Sequence, residues 1–359
     1  MKPLPVVLRP LAGETLHSWL NRAAAVYRMP LDELLAPSLT YLHSLMLDFN
    51  FGGLQTLATL TRTTPDFLFA HTVHSWTAEE RLQWLTIWQT EPNWMFPHGQ
   101  FRFQLTTNYC EACLLEDAAT TGVEFFRLNW LLAPQTICPR HLTFLREMCR
   151  CCNRQVQPRH WRSRTKFILA CASTRKPLAQ EPYEHRDIPE QARRCLASFE
   201  QSVLAAIQGQ TTEGTWFAGQ SAPDILRVVC DLLWLLTRAV GTDFFIQHSF
   251  EGSYFRPYYR WDRPPKAKPW LGDLRIRDRR SVLATLAQLV DSDGNRKILH
   301  DSRRLLLPGI RHLHRLLTLE DQRKLQQKLG LWHAGFRPLA SNLLAGLEST
   351  RFRKKWSTH

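Results

Sequence analysis

The sequence predicts a mainly α-helical protein interrupted once, near its middle, by a cysteine-rich region with short strands. Apolar residues recur at helical spacing on both sides of the middle, a polar turn with helix-start residues falls near residue 62, and four Cys/His-type pairs are confined to residues 110–174. The 359 residues, 44% of them hydrophobic, suffice for a buried core divided among two or three domains. We expect an N-terminal helical, helix-turn-helix domain over residues 1–105, a central cysteine-bearing region over 106–180, and a C-terminal helical, basic, helix-turn-helix-like domain over 181–359.

In chain order, Leu16, Trp19, Leu20, Ala23 and Tyr27 recur at three and four residues, placing one apolar face on an opening helix after Gly13. Leu54, Leu57, Ala58 and Thr61 outline a second helix, Arg62-Thr63-Thr64 a turn, and Pro65 a first-turn position of a helix to Thr72. This pair resembles a helix-turn-helix, but Pro65 to Thr72 contains no Lys or Arg, which favours packing or protein docking over reading a major groove. Gln208 to Gly214 is a polar break and a candidate linker. Beyond it, helices are expected over Ile225–Leu236, Ser281–Leu289, Pro308–Leu317, Thr318–Leu329 with Gly330 as terminator, and Pro338–Leu347. The stretch from Ile225 to Val240 carries Arg227, Asp231 and Arg238 and reads as a buried helix rather than a membrane span.

Cys110-x₂-Cys113 is followed after 24 residues by Cys138-x₂-His141, and Cys149-x₂-Cys152 after 18 residues by Cys171-x₂-Thr174. Two tight turns separated by a loop deliver four thiolate or imidazole donors to a tetrahedral Zn²⁺, so the spacing predicts a tandem zinc-ribbon region. The first quartet, Cys110, Cys113, Cys138 and His141, is complete. The second has Cys149, Cys152 and Cys171, but Thr174 stands where a fourth ligand belongs, leaving His160 or Cys151 to supply it, or a metal-free lobe held by packing. Disulfides would need an oxidising compartment, and the N-terminus shows no apolar stretch suited to a signal peptide. Cys195 and Cys230 sit alone in helical patterns as small apolar residues.

A net charge of +14 and a pI near 9.7 point to a polyanionic partner, with nucleic acid the leading candidate. From Arg140 to Lys176 ten Lys/Arg face the single acid Glu147; Arg162, Arg164 and Lys166 are candidate contacts. From Tyr254 to Arg280, Arg256, Arg260, Arg263, Lys266 and Lys268 interleave with tyrosines and tryptophans, suiting phosphate contact and base stacking or, equally, a proline-rich linker folded back on its neighbour. The basic tail of Arg351, Arg353, Lys354 and Lys355 reads as a phosphate-contacting arm or a disordered end. No G-x-x-x-x-G-K-[ST], H-E-x-x-H or G-x-S-x-G is present, and Glu147 lies too far from His141 for a deaminase pattern, so no catalytic residue is assigned and a non-enzyme is expected.

The run from Leu8 to Leu20, the run Tyr109-Cys110-Glu111-Ala112-Cys113-Leu114-Leu115-Glu116-Asp117, Phe126 to Trp130, and Cys138-Pro139-Arg140-His141 together resemble the TniQ/TnsD family of transposon targeting proteins. The resemblance covers residues 1 to about 176; the family pattern would place a cysteine at Thr174 and a glycine at Asn153. It implies a bacterial, cytoplasmic adaptor that selects a target site, most like TniQ of CRISPR-associated transposons. Its implied partners are an RNA-guided Cascade complex (Cas proteins plus guide RNA), an AAA+ ATPase of the TnsC type, DNA, and a second copy in a homodimer. There, guide pairing carries the specificity. The alternative is a TnsD-like protein that reads an attachment sequence directly.

Overall fold

The computed structural model describes residues 3–35, 51–76, 88–90, 103–105, 108–156, 158–181, 188–210, 216–217, 219–239, 271, 274–290, 319–341 and 343. The chain is mainly helical and divides into two compact units, Met1–Glu184 and His185–His359. The N-terminal helices and the cysteine-bearing region, expected as separate domains meeting at residue 105, both lie within the first unit.

Helix α1 spans Leu16–Tyr27. Thr15 caps it by accepting from Ser18 N–H at 3.1 Å, and Arg28 ends it in the left-handed region at φ 56°. Its apolar face, led by Trp19, Leu20 and Ala23, is buried with Leu35, Leu57 and Leu68 of α2 (Leu31–Leu35), α3 (Phe51–Thr61) and α4 (Pro65–Phe69). Arg62 reverses the chain between α3 and α4 at φ 54°, and Thr64 caps α4 with Pro65 at its start. Helix α4 stops at Phe69, three residues short of the expected Thr72. His71 N–H and Thr72 N–H donate to Leu68 and Phe69 carbonyls, tightening the turn, while His71 Nδ1 is drawn to the Glu14 carbonyl at 2.8 Å. A short antiparallel pair, β1 (Trp88–Thr90) and β2 (Phe103–Leu105), follows.

Glu14 ties these pieces to the middle of the chain. Its carboxylate accepts from Arg22 Nε at 2.8 Å and Nη2 at 2.5 Å, from Ser18 Oγ at 2.9 Å and from Leu11 N–H at 2.9 Å. Its backbone pairs with Arg127, and Leu128 N–H donates to the Gly13 carbonyl at 2.8 Å. Helix α5 (Glu111–Thr120) and the hairpin of β3 (Pro158–Ser163) and β4 (Lys166–Cys171) complete the unit. Helix α1 packs on β3, with the Arg22 guanidinium 5.8 Å from the centre of the Phe167 ring. Strand alternation turns Phe167 and Leu169 inward. Glu124 is buried there too, and burial raises its carboxyl to about 7 although Leu169 N–H donates to it at 2.7 Å.

The second unit contains α6 (Glu190–Ile207), α7 (Ala222–Ala239), α8 (Ile276–Val290) and α9 (Leu319–Gly330). Helices α6, α7 and α8 pack together, and α9 rests on α7. The polar break after residue 207 therefore joins two packed helices of one unit and is not a linker between domains. Asp231 on α7 binds Lys328 Nζ at 2.5 Å and Trp332 Nε1 at 3.0 Å, fixing the end of α9. Helix α8 begins five residues before the expected Ser281. Arg279 and Arg280, counted above in a basic segment, are buried in it, while Arg275 and Arg277 are exposed. The helix expected over Thr318–Leu329 is α9, whereas its N-cap Thr318, the helix expected at Pro308–Leu317 and the end of the one expected at Pro338–Leu347 lie outside the described residues, as do Arg256, Arg260, Arg263, Lys266, Lys268 and the tail from Arg351. No helix among the described residues is long and apolar enough to cross a membrane.

Removing one partner of the buried Glu14–Arg22 pair strands a charge, so Arg22→Met should cost about 3–5 kcal/mol in urea unfolding. Adding Glu14→Gln should recover part of that loss, giving a double variant less destabilised than the sum of the singles.

Candidate metal centre

The first quartet assembles at the start of α5. Cys110 occupies its N-cap, Cys113 lies in its first turn, and Cys138-Pro139-Arg140-His141 folds back as a tight turn. The sulfurs of Cys110, Cys113 and Cys138 lie 3.5, 3.4 and 3.4 Å from His141 Nδ1, and Cys113 Sγ lies 3.6 Å from Cys138 Sγ. A tetrahedral ion with bonds near 2.3 Å to sulfur and 2.0 Å to nitrogen separates sulfurs by about 3.8 Å and sulfur from nitrogen by about 3.5 Å. The four donors thus sit at the corners of a tetrahedron that one metal ion fits. Cys110 is pulled well below the usual thiol range by the Cys113 and Cys138 thiols that donate to it, while that same contact raises Cys113 and lifts Cys138 to about 11. Three thiolates brought together in this buried space would require a cation beside them.

Carboxylates on α5 organise the surroundings. Glu116 accepts from His141 Nε2 at 2.8 Å, which presents Nδ1 to the sulfurs, and from Arg140 Nη2 at 2.5 Å. Asp117 holds Arg127 through two bonds of 3.0 and 2.8 Å, and the Arg127 guanidinium lies 4.9 Å from the centre of the Trp130 ring. Glu111 binds Arg146 Nε at 3.0 Å and also Arg150, anchoring the segment between the two cysteine groups.

Three consecutive turns share one backbone design. In each, the first residue donates its N–H to the carbonyl five residues on and its carbonyl accepts from the N–H four residues on: Cys138 with Thr143 and Leu142, Cys149 with Arg154 and Asn153, Cys171 with Lys176 and Arg175. In each, a β-bridge joins the flanking residues, Ile137 with Phe144, Met148 with Gln155, and Ala170 with Pro177. In each, the residue after the fourth position is left-handed, with φ of 52° at Leu142, 51° at Asn153 and 58° at Arg175. Only Asn153 is a residue type that tolerates this readily. Leu142 and Arg175 each accept strain of about 1 kcal/mol or more, which is why no glycine signal marked the repeat in the sequence.

The second group brings together Cys149, Cys152 and Cys171, whose sulfurs lie within 4.8 Å of one another. Cys152 and Cys171 are 3.9 Å apart, and Thr174 Oγ1 is 3.9 Å from Cys149 Sγ, so the threonine occupies the fourth corner of a turn built like a ligand turn. Burial opposes a Cys149 thiolate, but N–H donation from Cys152 and Cys151 outweighs it and lowers the thiol to about 7. His160 does not complete this site. It pairs with Leu169 across the hairpin, points inward, and donates Nε2–H to the Glu124 carbonyl at 2.9 Å; burial lowers its pKa to about 3. The exposed Cys151 turns toward Gln180 and does not complete it either.

The family model named TniQ matches residues 5–145, the span from the N-terminal segment through the first donor set. Those residues are a TniQ domain. No curated protein matches the chain. The TniQ domain includes α1 with Glu14, α3, α4, α5 and all four first-site donors, and it ends before Cys149. The second group lies beyond it, together with the sequence-predicted contacts Arg162, Arg164 and Lys166, which are exposed on the β3–β4 hairpin. Glu14, Glu111 and Glu116 were not singled out as site-supporting residues in the sequence, although Cys113 and Glu116 are three apart on one helix face.

One metal ion per chain at the first site should survive gel filtration, and its removal by a chelator should unfold the surroundings of α5, read by circular dichroism. Glu116→Gln should weaken this ion about 10- to 100-fold in competition with a chromophoric chelator. Thr174→Cys supplies a fourth thiolate to the second group and should tighten a second ion by roughly tenfold or more, leaving the first-site affinity unchanged.

Proposed function

We propose that this protein is a non-catalytic adaptor for transposition target selection, a homodimer that links an RNA-guided Cascade complex to the transposon's AAA+ ATPase and transposase, with Zn²⁺ as the metal of its first site. The TniQ domain supports a target-selection role in transposition. The adaptor reading is carried by α4, the second helix of the helix-turn-helix-like pair. It has no Lys or Arg and exposes Phe67 (42%) and Phe69 (40%), a surface suited to protein contact and unsuited to the phosphates that flank a major groove. Zinc accords with a thiolate and imidazole donor set at tetrahedral spacing.

Reconstitution with a guide complex and the ATPase tests the reading. The protein should co-purify with the guide complex in the absence of target DNA, and Phe67→Ser with Phe69→Ser should release one protein partner without changing metal content. Nanomolar binding to a single duplex sequence, with no association to any guide complex, would establish the TnsD-like alternative instead.

A further inference from the structure

The β3–β4 hairpin carries a surface that neither the metal sites nor the TniQ domain uses. Arg159, Arg162, Arg164, Lys166, Arg175 and Lys176 gather on it, and none has a carboxylate partner among the described residues. This contrasts with Arg127, Arg140, Arg146 and Arg150, each paired with an acid of α5. Trp161 stands 37% exposed on the outer face, with the Arg159 and Arg175 guanidiniums each 5.5 Å from its ring centre. Register puts Arg159, Trp161 and Lys166 on the outer face, while Arg162, opposite the inward-turned Phe167, is exposed on the other side near the tip, so cations surround the end of the hairpin. At that tip Arg164 turns the chain at φ 54°, and its carbonyl accepts from Arg162 Nε at 3.1 Å.

We infer that this hairpin is a docking surface for the phosphate backbone of duplex DNA. A two-stranded ribbon matches the width of a duplex groove. Six cations with no carboxylate partner among the described residues supply the positive charge that the closely spaced phosphates of a duplex attract. Because Trp161 is flanked by two guanidiniums, it serves to preorganise them rather than as an open platform for an unstacked base. The contact is with phosphates and is independent of base sequence. The choice of DNA among polyanions rests on the target-selection reading, whereas the surface itself does not.

The test uses the full-length protein with its metal in place and a fluorescent mixed-sequence duplex, titrated across salt. In the triple variant Arg162→Gln, Arg164→Asn, Lys166→Gln, asparagine accommodates the left-handed turn. The slope of log affinity against log salt should shrink by about 2 to 3, since each lost phosphate contact removes about 0.9. The loss should be equal for unrelated duplexes, with metal content and circular dichroism unchanged. Trp161→Leu should give a smaller loss of the same kind. An unchanged slope in the folded triple variant overturns the inference, as does a loss confined to one duplex sequence or a loss seen only with polyglutamate, which would mark an acidic protein as the partner. Capture by a guide complex without DNA is scored separately, so failure of the adaptor reading and failure of the DNA contact give different results.

Discussion

Glu14 lies wholly out of solvent, and its two carboxylate oxygens accept four hydrogen bonds from three directions in the chain. An unpaired carboxylate there would be untenable, and a paired but under-bonded one would gain little over an apolar residue of similar size. Full saturation makes the site specify an arrangement rather than merely tolerate one. Arg22 continues past Glu14 to the Arg9 carbonyl at 3.0 Å, the Glu14 carbonyl receives His71, and Ser18 receives Phe126 N–H at 3.1 Å while donating to Glu14. Segments more than a hundred residues apart in sequence are thus registered on one buried charge. The apolar packing around Trp19 would persist in several slightly different arrangements, whereas this hydrogen-bond set is satisfied in one.

The same logic governs the cysteine-rich part, where the constraint passes from carboxylate to a set of four converging donors that one metal ion would fit. A single turn of Cys-x₂-Cys or Cys-x₂-His type has too little apolar surface to hold itself. Three such turns repeat with the same hydrogen bonds and the same left-handed residue, and two of the three accept the strain of a branched or long side chain in that conformation. Ligand bonds offset such strain when the turn delivers a donor. At Arg175 the turn delivers Thr174 instead, so the third copy keeps the geometry of a ligand turn while lacking its fourth donor. The packing of β4, with Leu169, Ala170 and Cys171 buried, holds that turn in place from the other side.

Helices were readable from the sequence where an apolar period or a start residue marked them: α1 from its three- and four-residue period, α4 from Pro65 in its first turn, and α7 from its unbroken apolar face. The first donor set was equally readable, because ligand spacing is a local property. What spacing could not show was direction. His160 had a ligand's chemistry and the right distance along the chain, but strand alternation turned it inward to the Glu124 carbonyl, and β pairing is decided by partners far away in sequence. The same limit hid the shared core of the helical and cysteine-rich parts, since the Glu14 contacts to residues 126–128 span more than a hundred positions. It also concealed the burial of Arg279 and Arg280, which composition alone counted as surface charge.

The distribution of arginine partners separates the charge that builds the protein from the charge left for binding. Helix α5 carries three acids, and all are engaged: Glu111 by Arg146 and Arg150, Glu116 by Arg140 and His141, Asp117 by Arg127. The positive residues up to Arg150 therefore hold the cysteine turns onto one helix, and their field is largely cancelled at short range by the carboxylates beside them. From Arg154 onward the hairpin sequence contains no acid before Glu181, and no acid from elsewhere in the described residues reaches its exposed cations. A net-positive chain need not expose its charge in a useful place, since Arg22 and Arg279 are buried and Arg127 is held by Asp117. Here the surplus survives on one rigid two-stranded element whose inner face is fixed by α1 and whose far end is fixed by a cysteine turn. Such an element presents its cations with little freedom left to lose, so a polyanion that meets it encounters charge already in position.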